Sequence, residues 1–275
     1  MQVDSHAHVF DVARFPYASS PGYKPPPQEA GTVDQFLAVL DAHGFTHGVV
    51  VNPTTSYGTD NRCLLDALNR AQGRLKGIAL VDPGVTDREL DDLGAAGVVG
   101  IRLNLVYHGL TPVSEAAHLR LLERLRERGW IVEVYTTADK LEFALPVLRD
   151  LGVTALVDHC GKPDPSMGLD QAGFRALVEF GRLGAGWVKL SGPFRFSQEP
   201  WPHLDADPFV EALIRAFTPK RIVWGSDWPF IQIDTRTDYG PIVQCLHRWV
   251  PDAEDRRQVL TMSPKQLFGF VDADG

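Results

Sequence analysis

Short runs of β-branched and other apolar residues recur along the whole chain, and stretches with helical spacing of apolar positions separate them. Runs of a few apolar residues bounded by turn residues are typical of buried strands. The pattern predicts eight strands, near residues 2–5, 48–52, 77–81, 98–103, 131–135, 155–158, 187–190 and 222–224. Strands that alternate with helices predict a parallel sheet, and eight such units predict an α/β fold, the (β/α)8 TIM barrel.

Polar residues mark the ends of several predicted helices. Thr86 and Glu89 have the spacing of a capping box, in which each side chain bonds the backbone amide of the other residue. Ser114 precedes an apolar helical face and Gly129 follows it, so we expect a helix that Ser114 caps and that ends before Gly129. The last helix is predicted to begin at Ser263.

The chain length fits one domain. A (β/α)8 barrel typically needs about 250 residues, so a single barrel over residues 1–275 accounts for the whole sequence. Two connections are too long for ordinary turns, residues 15–27 with five prolines and residues 192–208. We expect both to be ordered loops over the mouth of the barrel, where substrate binds.

Composition excludes several classes of function. A net charge of -8 and the absence of dense basic clusters argue against a nucleic-acid partner. No stretch is long and apolar enough to cross a membrane and no leader is visible at the N-terminus, so we expect a cytoplasmic protein. Three widely spaced cysteines predict reduced thiols and not a disulfide framework. A homodimer remains possible, but the sequence does not decide the oligomeric state, since no helix surface indicates an interface.

Three polar fragments stand at the ends of the first, sixth and eighth predicted strands, at residues 4–8, 157–161 and 224–229. The carboxyl ends of barrel strands meet at one mouth. The sequence therefore predicts a single pocket lined by His6, His8, His159 and Asp227. A histidine pair alone is more often a hydrogen-bonded core feature, but four such groups at one rim indicate a hydrolase site.

These three fragments and two others together resemble the motifs of a known enzyme family. In chain order they are Asp4-Ser5-His6-Ala7-His8-Val9-Phe10, Gly58-Thr59-Asp60-Asn61, Gly100-Ile101-Arg102-Leu103-Asn104, Asp158-His159-Cys160-Gly161-Lys162-Pro163-Asp164 and Trp224-Gly225-Ser226-Asp227-Trp228-Pro229. Together they resemble the amidohydrolase superfamily, and more narrowly its branch containing 2-pyrone-4,6-dicarboxylate lactonase and sugar lactonases.

Most members of this superfamily bind a divalent metal through a strand-one histidine pair, a strand-five histidine and a strand-eight aspartate, often with a carboxylated lysine or a glutamate on strand four. This chain departs from that pattern, because strand four offers Arg102 and Tyr135 stands where the strand-five histidine is expected. The pyrone lactonase resembles it in that tyrosine and works without metal, so the resemblance implies no cofactor. The alternative is zinc or manganese bound by His6, His8 and Asp227.

The resemblance implies hydrolysis of a carboxylated lactone, 2-pyrone-4,6-dicarboxylate or a relative. Asp227 would take a proton from water, while His6, His8 and His159 stabilise the carbonyl oxygen. A serine nucleophile is disfavoured because no Gly-x-Ser-x-Gly elbow is present. The alternatives are a metal-dependent sugar lactonase or amidohydrolase, and a binding protein that has lost the chemistry.

Two arginines near the predicted mouth suit an acidic substrate, because a guanidinium binds a carboxylate with two hydrogen bonds. They are Arg102 and Arg195, and each has the alternative of pairing with a neighbouring Asp or Glu. The resemblance adds three further substrate-binding residues, Tyr23, Thr55 and Tyr135. His108 stands where the pyrone lactonase has a second arginine, so the substrate is expected to carry one carboxylate or to differ in shape.

Other polar residues have structural interpretations. Lys189 and Glu133 are predicted to face inward from their strands and to form a buried ion pair within the barrel. Four histidines are expected to lie away from the mouth: His43, His47, His118 and His247.

Overall fold

Eight parallel strands form the barrel, as the sequence predicts. The structure is a computed structural model that describes residues 1–19 and 22–271. The strands are β1 (Val3–Ala7), β2 (His47–Val51), β3 (Leu75–Ala79), β4 (Val98–Asn104), β5 (Ile131–Tyr135), β6 (Thr154–Val157), β7 (Trp187–Ser191) and β8 (Ile222–Gly225). They follow one another in sequence order around the sheet, and every pairing is parallel.

Helices surround the strands and complete the predicted alternation. They are α1 (Val33–Ala42), α2 (Thr54–Tyr57), α3 (Arg62–Arg70), α4 (Asp87–Ala95), α5 (Leu105–His108), α6 (Ala116–Glu127), α7 (Ala138–Leu151), α8 (Ala172–Arg182), α9 (Asp207–Phe217), α10 (Tyr239–Trp249), α11 (Ala253–Arg257) and α12 (Ser263–Phe268). None of the helices in the described part of the chain is both long and apolar enough to cross a membrane.

The barrel closes where β1 meets the residues that follow β8. The Asp227 amide donates to the His6 carbonyl at 2.9 Å, and the His8 amide donates to the Trp228 carbonyl at 2.7 Å. Gly225 permits this approach, because a Cβ atom there would lie 2.4 Å from the His6 Cβ. The closure therefore brings the first and last polar fragments together.

Two apolar clusters pack on opposite sides of the sheet. The larger one lies between strands and helices, and includes Phe36, Leu122 and Leu213. The smaller one combines inward-facing strand residues such as Val49 with Phe268 of the last helix. Because side chains alternate between the two faces of a strand, residues two apart on one strand share the interior.

The predicted helix ends are confirmed with one exception. Thr86 and Glu89 form the capping box, and α12 begins at Ser263. The prediction that Ser114 caps a helix is wrong, because α6 begins two residues later and Glu115 occupies the cap position without a side-chain hydrogen bond. The Ser114 hydroxyl instead donates to the Leu110 carbonyl at 3.0 Å, at the end of a short 3-10 turn.

The two long connections lie at the strand-end face. Within the described part of residues 15–27 there is no helix, and the Ser56 hydroxyl of α2 donates to the Tyr23 carbonyl at 3.0 Å. The connection after β7 contains two 3-10 turns, Pro193–Arg195 and Leu204–Ala206.

Cys63, Cys160 and Cys245 are buried free thiols.

Candidate active site

Alternation along the strands builds the site in layers. On β5, Ile131 belongs to the apolar cluster inside the barrel, Glu133 lies one layer higher and Tyr135 reaches the mouth. On β7, Trp187 and Lys189 occupy the corresponding lower layers. The interior is therefore apolar at its base, charged in the middle and polar at the mouth.

The mouth contains a small chamber and a larger cleft that adjoin. The chamber, of about 60 Å³, is lined by His8, Pro53, Thr54, Thr55, Arg102, Asn104, Tyr107, Tyr135, His159, Arg195, Asp227, Ile231 and Gln232. The cleft, of about 570 Å³, includes His108, His118 and Asp82 in its wall. Both share Thr54, Thr55, Arg102, Asn104 and Tyr107, so the chamber opens into the cleft.

Asp227 is a buried carboxylate with one free oxygen. Its Oδ2 accepts a hydrogen bond from Arg195 Nε at 2.6 Å, whereas Oδ1 has no hydrogen-bond partner within the described residues. Oδ1 lies 3.7 Å from His6 Nε2 and 3.6 Å from His8 Nε2. Burial raises the pKa of Asp227, but Arg195 and the neighbouring histidines outweigh it and hold that pKa at about 2.

The position of Asp227 requires an unusual backbone conformation. Its φ of 63° lies in the left-handed region, which costs a residue with a Cβ atom on the order of 1 kcal/mol. His159 shares this conformation, with a φ of 47°. Such conformations persist only where the surrounding structure holds them, and they concentrate at functional sites.

His8 presents an acceptor to the chamber. Its Nδ1 lies 2.7 Å from the Val51 carbonyl oxygen, which can only accept, so Nδ1 carries the proton. Burial lowers the pKa of His8 to about 4, and the ring is therefore neutral at ordinary pH. A neutral ring protonated on Nδ1 leaves the lone pair of Nε2 facing Asp227.

His159 and Tyr135 can supply donors on the other side of the chamber. Ser191 Oγ lies 2.9 Å from His159 Nδ1, so a serine proton donated there leaves Nε2 protonated. Lys162 Nζ donates to the Tyr135 hydroxyl oxygen at 3.1 Å, which leaves the hydroxyl proton free to be donated. Burial lowers the pKa of His159 well below its ordinary value, so this ring is also neutral.

A buried ionic network lies beneath the chamber and contains Arg102, Glu133, Asp158 and Lys189. Arg102 donates from Nε to Glu133 at 2.9 Å and from Nη2 to Asp158 at 2.7 Å. Lys189 Nζ lies 2.5 Å from Glu133 Oε2 and 3.0 Å from Asp158 Oδ1. The predicted pair of Lys189 and Glu133 is thus confirmed, within a larger group that the sequence did not reveal.

His6 lies under the floor of the chamber and touches this network through both ring nitrogens. Lys189 Nζ is 2.8 Å from Nδ1, and Arg102 Nη2 is 3.0 Å from Nε2. Burial, with Lys189 beside it, lowers the pKa of His6 well below its ordinary value. In the same network burial raises the pKa of Glu133 to about 7, since Asp158 adds a second carboxylate nearby.

Among the residues that the structure describes, two sets of three side chains bring ligand atoms within 4.8 Å of one another and are candidates for a metal site. They are His6 with His159 and Asp227, and His6 with Glu133 and Asp158. Positively charged Arg102, Lys189 and Arg195 already contact donor atoms in these sets. A divalent ion would meet all three cations at close range in the first set, and Arg102 and Lys189 in the second, so this donor chemistry does not fit a metal site.

The structure places the predicted substrate-binding residues in different environments. Arg102 and Arg195 line the chamber, yet both pair with carboxylates of this chain. Thr55 lines the chamber and the cleft, while His108 lines only the cleft. Tyr23 lies outside both linings, and its hydroxyl donates to Glu29.

Some residues of the site were not predicted from the sequence. Asn104 lines the chamber, Ser191 contacts His159 and Lys162 contacts Tyr135. Each stands at or just beyond the carboxyl end of a strand, which is the signal that could have identified them. His118 was expected away from the mouth but lines the cleft.

Two proteins that are similar to this chain in sequence are named as lactone hydrolases. A 2-pyrone-4,6-dicarboxylate hydrolase of Comamonas testosteroni is 34% identical, with 97% of this chain and 89% of that protein covered. A 4-sulfomuconolactone hydrolase of Hydrogenophaga intermedia is 31% identical, with 98% and 88% covered.

Solved structures agree with the sequence relatives. A protein of Acinetobacter baumannii described as a probable 2-pyrone-4,6-dicarboxylic acid hydrolase, with citric acid bound, superposes with a TM-score of 0.89. It is 31% identical, and the alignment covers 98% of this chain and 99% of that one. The amidohydrolase family model matches residues 3–270. The resemblance seen in the sequence is therefore confirmed, and the chain belongs to the amidohydrolase family.

Proposed function

We propose that the protein hydrolyses the ester bond of a lactone that carries an acidic group, and that it does so without a metal ion. The observation that carries this proposal is the pair of acceptors formed by Asp227 Oδ1 and His8 Nε2, 3.6 Å apart. One water molecule can donate a proton to each of them, which leaves its oxygen lone pair free to attack a carbonyl carbon.

The chemistry then needs no covalent intermediate with the protein. The water oxygen bonds to the lactone carbonyl carbon while one water proton passes to Asp227 Oδ1. The oxyanion that forms on the carbonyl oxygen accepts hydrogen bonds from His159 Nε2 and the Tyr135 hydroxyl. When the intermediate collapses, the carbon–oxygen bond of the ring breaks, and the proton held by Asp227 passes to the departing oxygen.

This assignment gives two of the three histidines different roles. His8 orients the water, because its only ring proton is donated to the Val51 carbonyl. His159 stabilises the carbonyl oxygen, because Ser191 contacts its other nitrogen. His6 lies beneath the chamber and takes neither of these two roles.

The positive side chains at the mouth support the proposal that the substrate carries an acidic group. Arg195 lines the chamber, and its Nη1 donates to the Ile231 carbonyl at 2.7 Å while Nε holds Asp227. Two relatives act, by their names, on lactones that bear carboxylate or sulfonate groups. A chamber of about 60 Å³ holds the reacting ester alone, so the rest of the substrate would occupy the cleft beside His108.

The direct test is the loss of pyrone ultraviolet absorbance when purified protein meets 2-pyrone-4,6-dicarboxylate, with and without a chelator. We expect turnover in both samples. Turnover that the chelator abolishes and added zinc or manganese restores would establish the metal-dependent alternative. If the pyrone is not hydrolysed, sulfonated muconolactones and sugar-acid lactones are the next substrates, and failure of all of them would refute lactone hydrolysis.

The pH dependence tests the role of His8. Because burial lowers the pKa of His8 from 6.5 to about 4, the ring keeps its acceptor until the pH approaches 4. We therefore expect kcat/KM to stay level from pH 8 to about 5 and to fall on the acid side near 4. The profile is measured with circular dichroism at each pH to verify folding, and a fall near 6.5 would contradict this role.

The same shift predicts a loss of stability in acid. Below pH 6.5 the unfolded chain binds a proton at His8 that the folded chain does not bind until about pH 4. The free energy of unfolding should therefore decrease as the pH falls between these values, and urea unfolding at each pH measures it.

A further inference from the structure

Lys189 is a fully buried cation whose position the proposed mechanism does not explain. It stands in the middle of β7, with no side-chain exposure, and its Nζ forms ion pairs with Glu133 and Asp158. Its third contact is His6 Nδ1 at 2.8 Å. A buried ion pair contributes little net stability compared with apolar residues of the same volume, so stability alone is a weak reason for this arrangement.

The hydrogen bonds around His6 restrict its tautomer. Both ring nitrogens face cationic donors, Lys189 at Nδ1 and Arg102 at Nε2, but a neutral imidazole has only one lone pair to accept with. Lys189 makes the shorter contact, at 2.8 Å against 3.0 Å. The Arg102 Nη2 group already has an acceptor in Asp158 at 2.7 Å. These distances therefore favour the tautomer in which His6 Nδ1 accepts a hydrogen bond from Lys189.

We propose that Lys189 is a positioning residue, which Glu133 and Asp158 hold in place so that His6 keeps its single proton on Nε2. His6 is then a donor directed at Asp227, which lines the reaction chamber. The opposite tautomer would place a lone pair towards Asp227 Oδ1, which is 3.7 Å away and carries negative charge.

This orientation has a consequence for the lactonase reaction, and it rests on the proposed function. In this tautomer the Nε2 proton of His6 faces Asp227 Oδ1, the oxygen that takes the water proton in the proposed mechanism. The proton therefore stabilises the negative charge of Asp227 and orients its carboxylate for the transfer of the water proton, so its loss should lower kcat.

The tautomer can be read without any substrate. Long-range proton–nitrogen NMR spectra of protein labelled with ¹⁵N-histidine distinguish a protonated ring nitrogen from an unprotonated one. His6 is assigned by its through-space contacts to His8 and His159, whose ring centres lie 5.1 and 4.8 Å away. We expect Nε2 protonated and Nδ1 unprotonated. A protonated Nδ1 in the wild-type protein would overturn the proposal, whatever the enzyme hydrolyses.

A variant then links the tautomer to catalysis. In Lys189→Met we expect the His6 proton to move to Nδ1, towards Asp158 Oδ1 at 3.5 Å, and kcat to fall about 100-fold with KM nearly unchanged. Lys76→Met, a half-buried lysine on β3, is the matched control and should retain activity. A folded Lys189→Met protein with wild-type kcat would refute the positioning role.

The double variant Lys189→Met with Glu133→Gln removes one charge of each sign. It replaces the single variant in this test if the single variant does not fold. It should show the same tautomer change, and an Nε2 proton retained in it would contradict the proposal. Failure of the proposed function has a different signature, namely the expected wild-type tautomer without hydrolysis of any lactone.

Discussion

Replacing Asp227 by asparagine is expected to lower kcat for lactone hydrolysis by about 10³-fold while the protein remains folded. An amide cannot accept the water proton, so the general-base contribution is lost. The amide oxygen can still accept the hydrogen bond from Arg195 Nε, which holds the carboxylate at 2.6 Å, so the local structure should survive. Steady-state kinetics and thermal unfolding of the purified variant measure both effects.

The matched control for this variant is Asp234→Asn, an exposed aspartate in the same connection after β8. It changes the net charge by the same amount and should leave kcat within about twofold of the wild type. Near-normal turnover by Asp227→Asn would refute the general-base role. Loss of activity together with loss of folding would instead indicate that Asp227 holds the barrel closure.

The fold was predictable because its pattern is repeated eight times. Each apolar run, such as the one at Val49 and Val51, marks a buried strand, and eight strands that alternate with helices are typical of a parallel barrel. The convergence of His8, His159 and Asp227 followed from the same regularity, since every parallel strand ends at one mouth.

The roles of these residues were less accessible, because they depend on contacts between distant backbone segments. The tautomer of His8 is set by the Val51 carbonyl, which belongs to another strand and carries no side-chain signal. Tyr23 lies in a loop without regular structure, and only the folded loop shows that its hydroxyl is directed at Glu29. The prediction that Ser114 caps a helix was wrong because a 3-10 turn ends at Ser114 and the helix begins only after Glu115.

The sequence predicted only part of the buried ionic network. Alternation placed Lys189 and Glu133 inside the barrel, but the part taken by Arg102 could not be decided from sequence. Arg102 stands beside Glu133 in the register of β4 and β5, which makes their pairing direct. Its side chain is 5% exposed, so it both lines the chamber and neutralises the charges beneath it.

Replacing Arg102 by methionine is expected to destabilise the protein by about 3–5 kcal/mol, because two buried carboxylates would then share one cation. Glu133 and Asp158 are fully buried, and after the change only Lys189 would compensate them. Urea unfolding followed by fluorescence measures the difference. Arg257→Met, which removes an ion pair with Glu254 from the surface, should leave the free energy of unfolding nearly unchanged, because water screens exposed pairs.

Combining Arg102→Met with Glu133→Gln tests the cause of this loss. If the loss comes from unpaired buried charge, removing the Glu133 charge should recover part of the stability, so the two changes together would cost less than the sum of each alone. Simple additivity would show that Arg102 stabilises the barrel through packing of its side chain. A single-variant loss below about 1 kcal/mol would show that water or a proton neutralises the carboxylates once the guanidinium is gone.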